Sequence, residues 1–583
     1  MDLFFLELPE SMMMSNACKI MQENNKDEII VVDSFGKPVG IVTDQDVLKK
    51  IGEAYADPKK TRLDDIMIFP IIGIKHDNTL YDALRTMRDK KIRRLVVFGD
   101  YNQIVGIVFQ NTISNLIRDK LSYSSSEKYS LKSILWNLGT VTQFAGVLML
   151  IPSILATVLG ETLVASGIFL MSTLLLVTGF LLNSYGDKHP LTLRGTAIMV
   201  FASFFILVLF GTIPYLYVSP FETSSFTDLF ASSFFSSASS FTTAGISLFS
   251  TPEDLPDSFM FYRSFSQFVG GLSFIYLIMT AFYPENKLIT MRGFISGNIP
   301  KLRELFATIT IVFSIYVIII ALLMFYFGER NIIDDFSLAM STLSTGGFVP
   351  DSSLLSSLSL PEYFVLMIGM ILGALPFGFH YALVKKKFMS VKLTHEVGIY
   401  LTILAISIIL FIGLTNFSAI DSAFTVIAAS TTGGFQINDL NGIGPAPMIL
   451  LLILMIIGGC GFSTAGGFKV FRLQQLFQLK HFRKSKWNNL TSSERKEIWI
   501  AVFLLVLFPT IPIPYAYHLS SYGYDFYDSY FESVGAITTA GLGTGIIDID
   551  LEPISKILVG FLMIIGRLEI IVLAYIFIPK LLS

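Results

Sequence analysis

Along roughly the first 133 residues, short β-branched runs such as EIIVVD and GKPVGIVT alternate with amphipathic helical stretches, the pattern of a soluble α/β domain. Beyond that point the pattern changes to uncharged stretches of roughly 20 residues, each long enough to cross a hydrocarbon core of ~30 Å. They predict ten membrane spans, near 137–158, 164–183, 196–218, 264–283, 305–327, 363–384, 397–418, 444–468, 498–518 and 557–579. At 583 residues the chain exceeds what one hydrophobic core serves, so at least two domains are expected. The division is a soluble domain over 1–125, two accessory spans over 126–190 and the remaining spans over 191–583. Composition agrees, with 52% hydrophobic and 15% charged residues and a mean hydropathy of +0.64.

Charge orients the spans. One set of connections is rich in Lys and Arg, including Lys287, Arg292, Lys301, Arg303, Lys385, Lys386, Lys387, Lys480, Arg483 and Lys484. The other set holds only Arg263, Arg330 and Lys556 against many acids, among them Glu253, Asp334, Asp421 and Asp528. The excess of positive charge on cytoplasmic loops places the first set, and with it both termini, in the cytoplasm of a cell-membrane protein. The opening MDLFFLELPES has acids inside its short apolar run and no basic leader, which argues against a cleaved signal. A net charge of −3 gives no hint of nucleic-acid binding. Cys18 and Cys460 lie in unlike segments, so neither a disulfide nor a metal site is implied.

Two internal repetitions carry the chemistry. In the soluble part, Ala17 to Ile51 and Thr79 to Ile117 each read helix, strand, turn, strand, helix. The copies resemble a pair of CBS motifs, and the first shows that family's Gly-apolar-apolar-Thr-x-x-Asp segment from Gly40 to Asp46. The resemblance implies that Thr43 and Asp46 hold the ribose of an adenine nucleotide such as ATP, ADP or AMP. The second copy departs from it, with Phe109 and Thr112 at the matching positions. At most one good nucleotide site is therefore expected, the alternative being a domain that binds nothing and only packs.

In the membrane part, a short segment ending in Thr-small-Gly recurs between spans as SSFTTAGIS, TLSTGGFVP, ASTTGGFQI and AITTAGLGT. Its last glycines, Gly245, Gly347, Gly434 and Gly541, are spaced by 102, 87 and 107 residues. Each interval holds two spans and one such segment, so the unit is span, re-entrant loop, span, used four times. Dehydrating a cation must be offset by oxygen ligands, and a ring of backbone carbonyls supplies them without full charges. Pointing carbonyls at an axis needs small residues in unusual backbone conformations. Non-helical backbone at membrane depth survives only when buried or lining a wet cavity. The candidate ion ligands are Thr243, Ala244, Gly245, Thr345, Gly346, Gly347, Thr432, Gly433, Gly434, Thr539, Ala540 and Gly541. Asp334, Asp421 and Asp528, each thirteen residues before its glycine, would sit at the start of the preceding helix and make the mouth negative. The first repeat has Ser232 at that offset, predicting an asymmetric mouth.

From about Trp136 onward the chain resembles the Trk/Ktr/HKT superfamily of potassium transporters, in the TrkH-like branch with two extra spans before the first repeat. The resemblance implies a multi-pass α-helical pore of four pseudo-repeats. Glycine in all four loops implies potassium rather than sodium as the substrate. It also implies that the GGCGFSTAGGF stretch in the eighth span, with Gly458, Gly459, Gly461, Ser463, Thr464, Gly466 and Gly467, is a gating loop. Arg567, the only Lys or Arg inside a predicted span, would lie under the ligand ring as part of that gate. Glu569 would pair with a neighbouring helix, and His380 reads as a packing histidine. As partners the family implies a second copy of the chain and a cytoplasmic ring of nucleotide-binding subunits, which the fused domain replaces or supplements. Sodium or non-selective transport by the same fold is the alternative. A membrane enzyme lacks a clustered catalytic constellation, and a chloride channel disagrees with the negative outer loops.

Overall fold

The computed structural model describes residues 5–568 except 25, 55, 91, 100–102, 190, 192, 222–224, 283–301, 329, 385–390 and 480–491. The chain divides into two compact units, Met1–Lys128 and Tyr129–Ser583.

The first unit holds two three-stranded sheets of the same plan. Strand β1 (Leu6–Pro9) pairs in parallel with β2 (Glu28–Val32), which pairs antiparallel with β3 (Pro38–Thr43). Strand β4 (Gly73–Lys75) likewise pairs in parallel with β5 (Arg94–Phe98), and β5 antiparallel with β6 (Ile104–Phe109). Even the irregularity repeats, with a register shift between Val31 and Val32 in one sheet and between Val97 and Phe98 in the other. The β-branched runs are buried because helices cover them: α1 (Met14–Glu23) and α2 (Asp44–Ala54) in the first copy, α3 (Leu80–Asp89) and the start of α4 (Gln110–Leu148) in the second. Ile30, Val96 and Ile107 form one small apolar cluster that joins the two copies.

The second unit is helical. After α4 come α5 (Leu150–Val158), α6 (Thr162–Tyr185), α7 (Leu193–Val218), α8 (Phe226–Phe241), α9 (Asp257–Phe282), α10 (Leu302–Gly328) and α11 (Ile332–Leu343). Then follow α12 (Leu360–Ala374), α13 (Phe377–Val384), α14 (Val391–Leu414), α15 (Ala419–Ser430), α16 (Pro445–Ile457) and α17 (Val470–Leu479). The described part ends with α18 (Ser492–Thr510), α19 (Ile513–Ser520), α20 (Phe526–Ile537) and α21 (Pro553–Arg567). Among the described residues, six helical stretches are long and apolar enough to span a membrane: 131–158, 162–185, 194–218, 307–328, 395–414 and 498–520. Their outward residues, such as Phe169, Ile311, Ile319 and Ile409, are apolar and exposed, as lipid contact requires.

The other four predicted spans are less regular. Helices α12 and α13 meet at an angle of 102°, because Pro376 has no amide to continue the helix. Helix α9 covers the predicted span as far as Phe282, and residue 283 lies outside the described residues. Helix α16 stops at Ile457, where Gly458 turns to φ +67°. Of the last span, the residues beyond Leu568, Glu569 among them, lie outside the described residues.

Each short helix packs against the closing helix of the repeat before it: α11 on α9, α15 on α12, α20 on α16, and α8 on α21. The first repeat thus closes on the fourth.

Candidate functional site: a ring of four loops

The four short helices end alike. The residue after each cap, Thr243, Thr345, Thr432 or Thr539, adopts φ between +52° and +56°. Its amide reaches back to close the helix, as Thr243 does to the Ser240 carbonyl at 3.1 Å, and the next amide does the same, as Ala244 does to Ser239 at 3.0 Å. The other three copies repeat both bonds. This is the Schellman closure, normally made by glycine in the left-handed position. A β-branched residue there costs about 1–2 kcal/mol, and four copies of the same strain mark a site where the conformation matters more than the cost. Gly245, Gly347, Gly434 and Gly541 follow at φ +71° to +76°.

The glycines converge. A methyl group added to Gly245 would run into the Gly346 carbonyl oxygen; one on Gly347 would stand 2.8 Å from the Gly433 oxygen, and one on Gly434 2.8 Å from the Ala540 oxygen. One on Gly541 would run into the Ala244 oxygen. The contacts pass from each loop to the next and return to the first, so the loops form a closed ring. Helix C-termini, with their partial negative charge, surround it. The hydroxyls of Thr243 and Thr539 are buried and without a partner among the described residues. That of Thr345 donates to the Ser344 carbonyl at 2.7 Å, and that of Thr432 accepts from the Gly466 amide at 2.7 Å. An array of carbonyls, orphaned hydroxyls and helix C-termini can stabilise a cation.

The glycine-rich segment lies against this ring. Besides Gly466, Thr464 reaches it, its hydroxyl 3.2 Å from the Leu343 carbonyl at the end of α11 and 2.8 Å from that of Gly373. A methyl group on Gly466 would strike the Thr538 carbonyl at the end of α20. Gly458, Phe462, Gly467 and Lys469 all have positive φ. Cys460 donates its amide to Ala374 at 3.0 Å, and Gly461 donates its own to Glu396 at 2.7 Å. Ser463 closes a local turn on the Cys460 carbonyl, while Gly459 accepts from Val470. Arg567 is buried and donates through Nη1 to the Thr464 carbonyl at 2.6 Å, tying α21 to the segment.

The outer ends of the short helices differ from expectation in one respect. Asp334, Asp421 and Asp528 do stand in first turns. Helix α8, however, has 16 residues where the other three have 12, so Ser232 falls in its middle and Asp228 takes the first-turn place. All four helices therefore begin with an aspartate as their third residue, and the first repeat differs in depth rather than in lacking its acid. Asp228 is paired with the buried Lys556 at 2.7 Å.

Sequence reasoning missed several residues here. Lys556 and Arg263 fell one residue outside predicted spans, yet both are buried inside helices, Arg263 between the rings of Phe249 and Phe348. Glu532 in α20 is buried, and its Oε1 accepts from the amides of Thr544, Gly545 and Ile546 at 2.8–3.0 Å, fixing the chain beyond Gly541. His380 is satisfied, with Nε2 3.0 Å from the Leu372 carbonyl and Nδ1 3.3 Å from the Tyr316 hydroxyl.

In the first unit, the Thr43 hydroxyl donates to Asp46 Oδ2 at 2.6 Å, and the Thr43 amide reaches the same oxygen at 2.9 Å. The Asp46 amide points back at the hydroxyl at 3.3 Å. The pair caps α2 and is only partly buried, and Oδ1 has no donor among the described residues, so its chemistry fits ribose hydroxyls.

The family model for TrkH, described as a cation transport protein, matches residues 415–582. CBS domain models match 5–53 and 63–119. The crystal structure of the potassium transporter TrkH from Vibrio parahaemolyticus superposes with a TM-score of 0.64 at 21% identity, over 78% of this chain and 99% of that one. The helical unit is TrkH-like in fold, and the first unit is matched by two CBS domain models. The TrkH-like chain is also 28% identical to an uncharacterized cation transporter of Methanocaldococcus jannaschii over 76% of its length and 94% of the relative's. It is 27% identical to the Trk system potassium uptake protein TrkI of Halomonas elongata over 59% and 76%. These relatives are named as transporters rather than enzymes.

Proposed function

We propose that this protein carries potassium across the cytoplasmic membrane, with Thr243 to Gly245, Thr345 to Gly347, Thr432 to Gly434 and Thr539 to Gly541 as its selectivity filter. The observation that carries the reading is the closed succession of contacts among the four glycines and the carbonyls preceding them. Backbone oxygens so arranged can replace the water of a dehydrated monovalent cation. The Trk relatives named for potassium uptake support potassium as the substrate.

The glycine-rich segment from Gly458 to Gly467, held by Arg567, is the gate. Its bonds to Thr432 and to the end of α11, with the close approach of Gly466 to the Thr538 carbonyl, support this reading, and the charge of Arg567 opposes a cation there. The CBS pair binds an adenine nucleotide at Thr43 and Asp46 and biases that gate. It can do so only by the difference in its affinity for the open and closed states. Both termini are cytoplasmic, and the functional unit is a homodimer, with or without a separate nucleotide-binding ring.

The test is flux of rubidium against sodium into liposomes holding the purified protein, with ATP, ADP and AMP compared. Rubidium flux well above sodium flux, altered by one nucleotide, is expected. Equal fluxes would replace potassium selectivity with general monovalent cation transport, and fluxes indifferent to every nucleotide would remove the regulatory part.

A further inference from the structure

The closing helices of the four repeats begin at Asp257, Leu360, Pro445 and Pro553. Ten residues into each stand Gln267, Met370, Met455 and Met563, all fully buried. Two of these side chains visibly back a loop of the next repeat. Met370 Sδ lies 2.9 Å from where a methyl group on Gly433 would stand, and Gln267 crowds Gly346 in the same way. One structural position is thus filled by three thioethers and a single amide.

The amide makes a bond that a thioether cannot. Gln267 Nε2 is 2.7 Å from the Gly346 carbonyl oxygen. That oxygen can only accept, so the NH2 end must face it. It is also the oxygen that Gly245 closes upon in the ring. The other end of the amide, Oε1, is buried without a partner among the described residues. A buried orphan acceptor is a cost that methionine, sufficient in the other three repeats, would avoid.

We propose that Gln267 is a specificity-determining positioning residue: its amide donor fixes the direction of the Gly346 carbonyl and so sets how closely that oxygen approaches a bound cation. Glycine at 346 lacks the Cβ that restrains Ala244 and Ala540 in the first and fourth loops, so its peptide turns more freely than theirs; of the two loops with glycine here, the third is backed by Met370 packing and the second by a directed hydrogen bond. Released, the carbonyl can swing toward a smaller, harder cation, and sodium gains most. The inference rests on reading the four loops as an ion-selective ring.

Gln267→Met installs the side chain of the other three repeats. In full-length protein reconstituted in liposomes it lowers the rubidium-to-sodium flux ratio by about fivefold, the effect of one hydrogen bond of ordinary strength. Should that variant fold poorly, Gln267→Leu, an apolar side chain without a donor, lowers the ratio likewise. A role in packing alone would scale both fluxes together. A wild-type ratio in a well-folded Gln267→Met overturns the proposal and leaves the transport reading intact. A wild-type protein that passes both ions equally overturns both.

Discussion

The CBS pair and the four membrane repeats are both built from internal copies, but the copies keep different things. In the CBS pair the architecture is kept: strand order, register and even the position of the irregularity coincide. The chemistry is not, since Thr43 and Asp46 of the first copy are matched by Phe109 and Thr112 in the second. In the membrane repeats the architecture drifts. One closing element is bent by 102°, another ends at a glycine-rich break, and α8 exceeds its counterparts by a turn. Yet the four threonines agree in φ within 4° and the four glycines within 5°. Sheets that must only pack tolerate any residue of suitable shape. Loops that close on one another cannot, because each glycine lies against the next loop's carbonyl.

The largest effect should come from breaking that closure at one point. Gly541→Ala adds a methyl that meets the Ala244 carbonyl, a backbone atom with no side chain to yield. Rubidium uptake should fall roughly a hundredfold, the penalty for a misplaced reacting group. Gly545→Ala is the control: φ is +87°, but nothing lies within 4 Å of the added methyl. It carries the backbone strain of ~1 kcal/mol without the collision, and uptake within about twofold of wild type is expected. Equal losses in both would mean that strain, not contact between loops, makes the glycines necessary.

These contrasts also explain what the sequence made legible. Four Thr-small-Gly segments at matching places between apolar runs announced the loops, since few other residue types permit that backbone. The CBS strands were equally plain from their β-branched alternation. The buried charges of the helical unit were not. A hydropathy window ends a span at its last apolar residue, so Arg263 and Lys556 were assigned to outer loops when they are buried in helices. The first-turn acid of α8 was sought at the spacing of the other repeats, and the additional turn moved it to Asp228. Gln267 and Glu532 act on backbone groups distant in sequence, which no local pattern reveals.

The next effect in size tests whether the segment beneath the ring differs from the ring itself. Arg567→Ala removes the donor to the Thr464 carbonyl and a buried charge. Basal rubidium flux should rise several-fold, where every change to a ring glycine lowers it. Arg567→Lys, which keeps the charge but not the planar fork, should lie between. A fall in flux with Arg567→Ala would place the arginine among the structural supports of the ring.

The smallest effects belong to the CBS pair, where one copy is read as chemical and both as structural. Thr43→Ala with Asp46→Ala removes the cap of α2 and the pair proposed to hold the ribose together; the ratio of flux with and without ATP should go to one. Thr79 supplies the comparison, because it forms the same box with Asp82 at the start of α3 (hydroxyl to Oδ2 2.6 Å, amide 3.0 Å) but outside the nucleotide motif. Hydrogen bonds from the Thr79 side chain and then its amide hold the Asp82 carboxyl below its usual range. A lowered folded value means that the contribution is present above the unfolded carboxylate value and fades as pH falls through the folded one. Thr79→Ala should therefore lower the melting temperature of this unit by only a few degrees at neutral pH, and the difference from wild type should shrink in acid. Its ATP ratio should remain that of wild type. If Thr79→Ala abolished the ATP response as fully as the Thr43 and Asp46 pair, loss of a helix cap would account for both, and the first copy would have no chemistry that the second lacks.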